Sequence, residues 1–325
     1  MHEPHRILIA EPRDFSPRAV SILQQIGQVD LCECDPRHLK QALADYDVFW
    51  FRLAHRISRE LLEGDIRCRI LATPVTGIDH IDLEACAERG IQIACLRGEY
   101  EFLKKVRATA ELTIALTLAL LRHIPEATAS VNGGTWDRDL FRGRELFEKT
   151  AGVIGLGRLG NIVAGYFRAF GMRVIGYDPR PDFPLDVAER AGTLHELLGQ
   201  CDVVSIHVKY DESTRHLFRR EHFECMKHSS VLINTSRGGI VDDKALLWAL
   251  ESGRIAGTAL DVLDGEPHIT TDHPVLQYSR NHSNVLLVPH IGGNTEESFA
   301  KTEVFLALRV LELVRTGALE SRVKI

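Results

Sequence analysis

The sequence predicts an α/β fold made of two doubly wound parallel sheets. In the second half of the chain, short runs rich in Val and Ile alternate with stretches of helical pattern. These runs lack strict polar alternation, which is typical of strands buried on both faces of a parallel sheet. The N-terminal third repeats the alternation on a smaller scale, and 325 residues exceed what one ordinary core encloses. We therefore expect two domains of the same class.

The runs also place the individual elements. Strands are expected at residues 6–10, 48–52, 70–72 and 92–95, and then at 152–155, 173–177, 203–208, 231–235, 257–262 and 285–288. Helices are expected at 17–26, 36–43, 101–122, 158–170 and 296–315. The helix at 158–170 has the clearest pattern, because its apolar side chains fall on one stripe: Leu159, Ile162, Val163, Phe167 and Phe170.

The composition is that of a globular protein and argues against several classes of partner. The chain is 45% hydrophobic and 26% charged. Its formal net charge of −6 argues against nucleic acid, which requires a basic face. The longest apolar stretch, residues 112–121, is shorter than the ~20 residues that cross a bilayer, and the apolar run at 7–9 is too short for a signal peptide. We expect a cytoplasmic protein that acts on a small molecule.

The cysteines and histidines do not form a metal-binding pattern. Seven cysteines are scattered through the chain, which is typical of reduced thiols packed as small hydrophobes. Cys32 and Cys34 are the one close pair, and they lack a second pair at the spacing of a zinc site. His216, His222 and His228 are six residues apart, so one helix face cannot align them. We predict no metal.

Residues 155–160 spell Gly-Leu-Gly-Arg-Leu-Gly between a predicted strand and the striped helix. In this context the pattern predicts a dinucleotide-binding turn. Gly155 makes the tight turn, Gly157 lets the backbone approach a pyrophosphate, and Gly160 lets helix and strand pack closely. The N–H groups of the helix start, including those of Arg158 and Leu159, point at the phosphates.

The next predicted strand ends at Asp178, eighteen residues after Gly160. A carboxylate at this place accepts hydrogen bonds from the adenosine ribose hydroxyls and repels a 2′-phosphate. The expected cofactor is therefore NAD rather than NADP. Arg180, two residues further on, is able to weaken that preference.

Three chemically suitable residues follow three successive strands of the same predicted sheet. Arg237, Glu266 and His290 offer a guanidinium fork for a carboxylate, a carboxylate partner and a proton carrier near neutral pH. Taken singly, each has a plainer interpretation as a surface arginine, a solvated glutamate or a structural histidine. Their common placement at the carboxyl ends of strands, where such sheets bind ligands, favours a catalytic site.

Together these motifs resemble the D-2-hydroxyacid dehydrogenase family over nearly the whole chain. The resemblance rests on residues 155–160 with Asp178, on 234–242, on 259–262 leading to 266–267, and on 289–293. It implies a Rossmann NAD-binding domain at 99–294, inserted into a smaller flavodoxin-like substrate domain formed by 1–98 and by a returning helix in 295–325. With the apolar helix 109–121, it also implies a homodimer formed through the cofactor domains.

The resemblance assigns roles to single residues. It implies hydride transfer between NAD(H) and C2 of a small D-2-hydroxy acid or its 2-keto partner. Arg237 binds the substrate carboxylate and carbonyl, His290 is the acid/base, and Glu266 is its partner. On the cofactor side, Asp261 orients the nicotinamide carboxamide, and the remaining implied contacts are His207, Thr235 and Ser236.

The implied substrate contacts lie in the N-terminal part. Residues 73–82 resemble the family's substrate loop, in which the N–H groups of Thr76 and Gly77 receive the carboxylate. Arg52 matches a position that meets a phosphate in members with phosphorylated substrates. The segment 97–106 departs from the family pattern, and its Tyr100 and two lysines either line the substrate mouth or begin a helix. An acidic or phosphorylated substrate such as phosphoglycerate thus stays open.

Two further interpretations stay open beside the dehydrogenase. The first is an NAD-sensing regulatory or scaffold protein on the same fold, which turnover of a 2-keto acid with NADH would exclude. The second is an enzyme similar to formate dehydrogenase. The pairing of Glu266 with His290 argues against it, because that branch has Gln with His. The sequence identifies neither the physiological substrate nor the favoured direction.

Overall fold

The computed structural model describes residues 4–316, which divide into two compact units. The first unit contains the chain up to Val106 and again from Thr295, and the second unit is Arg107–Asn294. The second unit therefore interrupts the first. The division falls after Val106 rather than after residue 98, and the ends of the predicted segments, residues 1–3 and 317–325, lie outside the described residues.

Twelve strands in the described part of the chain form two sheets, and every strand pairing is parallel. The strands are β1 (His5–Ile9), β2 (Gly27–Leu31), β3 (Val48–Trp50), β4 (Ile70–Ala72), β5 (Gln92–Ala94), β6 (Thr150–Ile154), β7 (Arg173–Tyr177), β8 (Glu189–Arg190), β9 (Val203–Ile206), β10 (Val231–Asn234), β11 (Gly257–Leu260) and β12 (Val285–Leu287).

Helices connect these strands. They are α1 (Pro17–Leu23), α2 (Leu39–Asp45), α3 (Leu83–Glu88), α4 (Tyr100–Leu103), α5 (Ala108–Leu121), α6 (Ile124–Asn132), α7 (Arg158–Ala169), α8 (Leu194–Gln200), α9 (Arg220–Cys225), α10 (Asp243–Glu251), α11 (Pro274–Ser279) and α12 (Glu296–Arg315). Local signals start several of them. Ser16, Asp82, Asp242 and Thr295 accept a backbone N–H as N-caps, which satisfies an otherwise orphaned donor of the first turn.

In the first unit the strand order is β2-β1-β3-β4-β5. Helices α1 and α12 pack against each other and cover one face of this sheet, where Trp50, Leu306 and Val310 are buried. The opposite face is covered by a second apolar cluster that includes Phe49 and Leu43. Both faces of the sheet are therefore buried, as its apolar strands predict.

In the second unit the order is β12-β11-β10-β9-β6-β7-β8. The strand order reverses between β6 and β9, which is the point where doubly wound sheets bind ligands at the carboxyl ends of their strands. Helices α5 and α7 pack against each other, and α9 packs against α8 and α10. The predicted fold class is confirmed.

The predicted strands are all present, whereas one predicted helix is wrong as a single element. Residues 101–122 form α4 and α5, which are separated by residues 104–107. Phe102 of α4 stacks on Phe305 of α12 with ring centroids 4.0 Å apart, so this turn packs within the first unit. The division between the units lies in the same break, and α5 begins the second unit.

Candidate active site

The glycine-rich turn after β6 has the geometry of a ligand cradle. Gly155 has a φ of +85°, and a Cβ there would lie 2.7 Å from the carbonyl oxygen of His207. A Cβ on Gly160 would lie 1.9 Å from the carbonyl oxygen of Gly155, so helix α7 approaches the strand closely. At Gly157 a Cβ would meet nothing within 4 Å. Packing therefore does not require Gly157, whereas close approach by a ligand does.

Asp178, directly after β7, holds this turn through its carboxylate. Oδ2 accepts the N–H of Leu156 at 2.9 Å. Arg180 donates from its backbone N and from Nε to Oδ1, and from Nη2 to Oδ2, each at 3.0 Å. Burial alone would raise the pKa of Asp178, but the hydrogen bonds from Arg180 and Leu156 hold it below its ordinary value. The ionised carboxylate thus lies beside the cradle with Arg180 as its counter-ion.

The side chains of three predicted cofactor contacts form hydrogen bonds inside the protein. His207 lies behind the glycine turn, where its Nε2 is 2.8 Å from Ser205 Oγ and burial lowers its pKa to about 3. Thr235 Oγ1 is 2.9 Å from Thr113 Oγ1, and Ser236 Oγ donates to the Ile206 carbonyl at 2.8 Å. These side chains fix the ends of β9 and β10.

Two further predicted contacts, Arg158 and Leu159, begin helix α7. Burial lowers the pKa of Arg158, and Leu159 packs against the apolar core of the unit. Their side chains therefore help to seat the helix whose first turn lies at the glycine cradle.

Arg237 lies in a turn after β10 that packs onto the turn after β11. The Asn234 side chain fixes this turn, because its Nδ2 donates to the Arg237 carbonyl at 2.9 Å and its Oδ1 accepts the Ser236 N–H at 3.0 Å. A Cβ on Gly238 would lie 2.0 Å from the carbonyl carbon of Leu263. The glycine next to Arg237 is thus required for the close approach of the two turns.

Glu266 and His290 form a hydrogen-bonded pair at the carboxyl ends of β11 and β12. Glu266 Oε2 lies 2.5 Å from His290 Nδ1, and each side chain is 25% exposed. Glu266 Oε1 accepts the Leu263 N–H at 2.7 Å, which orients the carboxylate. An ionised carboxylate accepts from Nδ1–H, so the second ring nitrogen, Nε2, is left to exchange a proton with a ligand.

Asp261 holds the turn that carries His290. Its backbone carbonyl accepts the His290 N–H at 2.8 Å, and its carboxylate accepts the N–H groups of Ile291 at 2.6 Å and Gly292 at 2.9 Å. His290 itself has a φ of +54°, a left-handed conformation that a non-glycine residue keeps only when its surroundings enforce it. Burial raises the pKa of Asp261 to about 6, although the two backbone N–H groups act in the opposite direction.

Three of the four predicted substrate residues, Arg52, Thr76 and Gly77, lie in the first unit. Thr76 and Gly77 follow β4, and within the described residues neither backbone N–H donates to a protein acceptor. Arg52 follows β3, and its Nη2 donates to Glu303 of α12 at 2.6 Å. Sequence reasoning did not find Glu303, which is completely buried. An acidic residue on the apolar stripe of α12 was the available signal.

Comparison with known proteins decides the family. The model of the D-isomer specific 2-hydroxyacid dehydrogenase NAD binding domain matches residues 114–292, more than half of the chain. The chain belongs to the D-isomer-specific 2-hydroxyacid dehydrogenase family. A D-3-phosphoglycerate dehydrogenase from Methanocaldococcus jannaschii is 36% identical over 316 residues, which cover 95% of this chain and 57% of that protein. The hydroxypyruvate reductase of Thermotoga maritima is 31% identical over 311 residues, 95% of this chain and 98% of the relative.

A solved structure agrees with the family assignment. D-lactate dehydrogenase from Aquifex aeolicus, complexed with NAD and lactic acid, matches with a TM-score of 0.82 and 29% identity over 97% of this chain and 96% of that one. Family membership confirms the resemblance drawn from the motifs, and it confirms the NAD-binding domain. The chain spans 57% of the length of the phosphoglycerate dehydrogenases from M. jannaschii and Rattus norvegicus.

Other features of this family member bear on partners. Among residues 4–316 no helix is long and apolar enough to cross a membrane. In the same range no three His, Cys, Asp or Glu residues are grouped so that they could hold a metal ion. All seven cysteines are free thiols, and burial raises the pKa of Cys68, Cys86 and Cys201 to about 12. These three thiols are therefore protonated core residues.

Proposed function

We propose that this chain catalyses reversible hydride transfer between NAD(H) and C2 of a small D-2-hydroxy acid or its 2-keto partner. The observation that carries the proposal is the bond between Glu266 and His290, 2.5 Å long, at the same sheet edge as the Arg237 turn. Strands β10, β11 and β12 are neighbours, so the residues that follow them share this edge. The sheet's first turn is the glycine cradle, at the switch point of the same edge.

His290 carries the proton in this proposal. In reduction, the imidazolium donates from Nε2 to the oxygen that becomes the alcohol, and in oxidation the neutral ring takes that proton back. Glu266 keeps the proton on Nδ1 and stabilises the imidazolium. Arg237 binds the substrate carboxylate with its guanidinium fork and polarises the adjacent carbonyl. Asp261 keeps the His290 turn in place.

The second unit has suitable residues for two parts of NAD, the pyrophosphate and the adenosine ribose. Gly155, Gly157 and Gly160 would hold the pyrophosphate at the start of α7, and Asp178 would accept the ribose hydroxyls. Bound nicotinamide supplies or takes the hydride. The ionised Asp178 supports a preference for NADH over NADPH, which Arg180 reduces by neutralising part of its charge.

We propose that the first unit contributes backbone donors for the substrate carboxylate. The N–H groups of Thr76 and Gly77, which have no acceptor among the described residues, are suited to a carboxylate. The names of the relatives, D-3-phosphoglycerate dehydrogenase and hydroxypyruvate reductase, support a short 2-keto acid with or without a phosphate. The free thiols support a cytoplasmic location, which fractionation of cells that express the protein would test.

A panel of 2-keto acids with NADH tests the activity. Wild-type protein is expected to oxidise NADH with at least one short 2-keto acid, whereas His290→Gln binds NADH equally well and turns over far more slowly. If wild-type protein binds NADH but reduces no acid of the panel, the proposal is wrong and an NAD-sensing regulator is favoured.

A homodimer formed through the second unit is part of the proposal, but helix α5, whose apolar sequence suggested it, packs against α7 and β11 inside that unit. Helix α6 and the segment that follows it carry exposed apolar side chains, including Trp136 at 89%, Leu140 at 63% and Phe147 at 61% exposure. Such a patch is typical of a surface that a partner covers. In sedimentation velocity at micromolar concentration we expect a dimer. Trp136→Asp should shift it toward monomer, and Leu185→Asp, an exposed leucine outside this segment, should not. A wild-type monomer would exclude the dimer.

A further inference from the structure

Arg52, the residue that resembles a phosphate contact, has its guanidinium already engaged. Nη2 donates to Glu303 Oε1 at 2.6 Å, and Nη1 donates to the Arg13 carbonyl at 3.1 Å. The Phe299 ring lies 4.2 Å from the guanidinium carbon. Nε is buried without a hydrogen-bond partner among residues 4–316, and the side chain is only 14% exposed. Nη1 and Nη2 therefore each already donate to a protein acceptor, and Nε is buried away from an approaching anion.

The charges around Arg52 are also unfavourable for a phosphate. Glu303 is completely buried, and its second oxygen accepts the Ser16 N–H at 2.8 Å. Glu11 accepts the backbone N–H groups of Arg52 at 2.7 Å and Ala54 at 3.2 Å. Glu303 is thus the carboxylate bound to the guanidinium, whereas Glu11 binds the backbone at the same position. A phosphate dianion brought to Arg52 would meet an ionised carboxylate at hydrogen-bond distance from the same group, and like charges at this separation repel strongly.

The same pair is linked to the loop that carries Thr76 and Gly77. The Arg52 carbonyl accepts the Thr73 hydroxyl at 3.2 Å, at the start of that loop. The Thr73 N–H donates to the Ala94 carbonyl at 2.9 Å, so the loop start is held from two strands. A displacement of Arg52 would therefore be passed to the loop.

We infer that Arg52 and Glu303 are a positioning pair for the 73–77 loop and that they direct this site toward 2-keto acids without a phosphate group. The inference rests on the proposed function. Arg52 contributes no net positive charge to the site, because Glu303 neutralises it. Of the two classes of substrate that the relatives' names suggest, the unphosphorylated one fits this chain.

Two substrates that differ only in the phosphate test the selectivity. Wild-type protein should have a kcat/KM for hydroxypyruvate at least tenfold above that for 3-phosphohydroxypyruvate. Glu303→Gln keeps the shape of the pair and leaves the Arg52 charge uncompensated, so it should raise the ratio of phosphorylated to unphosphorylated kcat/KM at least tenfold. The double variant Arg52→Gln/Glu303→Gln removes both charges and should return the ratio to the wild-type value. Loosening of the structure alone would lower both constants and leave their ratio unchanged.

The single variant Arg52→Gln tests whether Arg52 itself binds the phosphate group. If this variant selectively loses activity on the phosphorylated acid, Arg52 is an anion-binding residue and the inference is overturned. A wild-type preference for the phosphorylated acid would also overturn the inference. The exposed Arg97 and Lys105 of segment 97–106 would then be the candidate phosphate ligands. Neither of these two measurements requires the Glu303→Gln variant to fold.

A binding measurement separates this inference from the proposed function. Ligands that bind only the folded state raise Tm, so inorganic phosphate reports an accessible cation without any turnover. Relative to a sodium chloride control of equal ionic strength, millimolar phosphate should raise the Tm of Glu303→Gln more than that of wild-type protein, because any phosphate bound at the glycine cradle is common to both. If these results hold while no keto acid is reduced, only the proposed function fails. A phosphate-dependent rise in wild-type protein that Arg52→Gln abolishes would refute the inference.

Discussion

The substitution Glu266→Gln isolates the charge that His290 faces. Gln has the shape of Glu, so one of its two terminal atoms can still accept the Leu263 N–H, which Glu266 accepts at 2.7 Å. The other atom then becomes an amide NH₂ directed at His290 Nδ1, where the wild-type carboxylate oxygen lies at 2.5 Å. An NH₂ group can only donate, so it requires an unprotonated Nδ1 and opposes the imidazolium. The reverse amide orientation leaves the Leu263 N–H without an acceptor.

Both orientations of the amide in Glu266→Gln should cost a similar amount of free energy. A hydrogen bond to a charged group contributes about 1.5–3 kcal/mol, and an abandoned backbone donor costs about 1–3 kcal/mol. Since 1.36 kcal/mol corresponds to a factor of ten, the population of productive imidazolium should fall roughly 10- to 150-fold. Reduction requires this species, so its rate should decline at a lower pH than in wild-type protein. The pair is one-quarter exposed, which places the expected effect in the lower part of this range.

The pH profile of kcat/KM for the reductive reaction is the assay, with NADH binding measured separately by fluorescence. Glu266→Asp is the matched control, because it keeps the charge but shortens the side chain by one methylene. It should reduce kcat while leaving the decline at high pH near its wild-type position. If the Glu266→Gln profile overlays that of wild type, the carboxylate is a structural neighbour and the assigned pairing is wrong.

Substitutions at four other residues give further predictions. NADH should be preferred over NADPH at least tenfold in kcat/KM, about 1.4 kcal/mol; Asp178→Ala should narrow this gap, and equal use of both cofactors by wild type would contradict the assignment. His290→Gln should lower kcat roughly 10²–10⁴-fold with an unchanged Kd for NADH, and Arg237→Lys should raise KM and lower kcat together. Because burial raises the pKa of Asp261 to about 6, its protonation at lower pH removes an acceptor from the His290 turn. Activity should therefore fall below about pH 6. Asp261→Asn should show reduced kcat at all pH values, without a further decline below about pH 6.

The central strands of both sheets could be predicted because each is a continuous apolar run. The two strands that were not predicted lie at sheet edges. In β2 (Gly27–Leu31) every residue is at least partly exposed, and β8 (Glu189–Arg190) is two exposed charged residues that pair with β7 alone. These two edge strands bury little apolar surface, so hydrophobicity does not mark them. The other two edge strands, β5 and β12, carry apolar residues and were predicted.

Long-range contacts account for the predicted helix that proved to be two. Residues 101–122 have a helical pattern throughout, and the local signal is the same on both sides of the break. Phe102 is held by Phe305, which is distant in the chain, and this stacking fixes α4 within the first unit. A pattern read from neighbouring residues does not contain such a contact.

The catalytic candidates could be predicted from position, since Arg237, Glu266 and His290 each follow a strand of one sheet. Their supporting contacts could not. The close approach at Gly238 and the carboxylate of Asp261 beneath the His290 turn depend on how two turns pack against each other. Sequence spacing fixes which residues lie at the sheet edge, whereas tertiary packing fixes which of them face a ligand and which hold the others in place.

Glu303 shows how such a supporting residue can be recognised in a sequence. It lies on the stripe of α12 that also carries Leu306, Ala307 and Val310, so periodicity places it in the core, whereas its charge places it at the surface. A buried carboxylate is retained only with a partner that neutralises it, because desolvation is otherwise too costly. Arg52, 251 residues away, is that partner. A conflict between the pattern of a helix and the charge of one residue therefore predicts a buried ion pair, and here that pair lies beside the loop assigned to substrate binding.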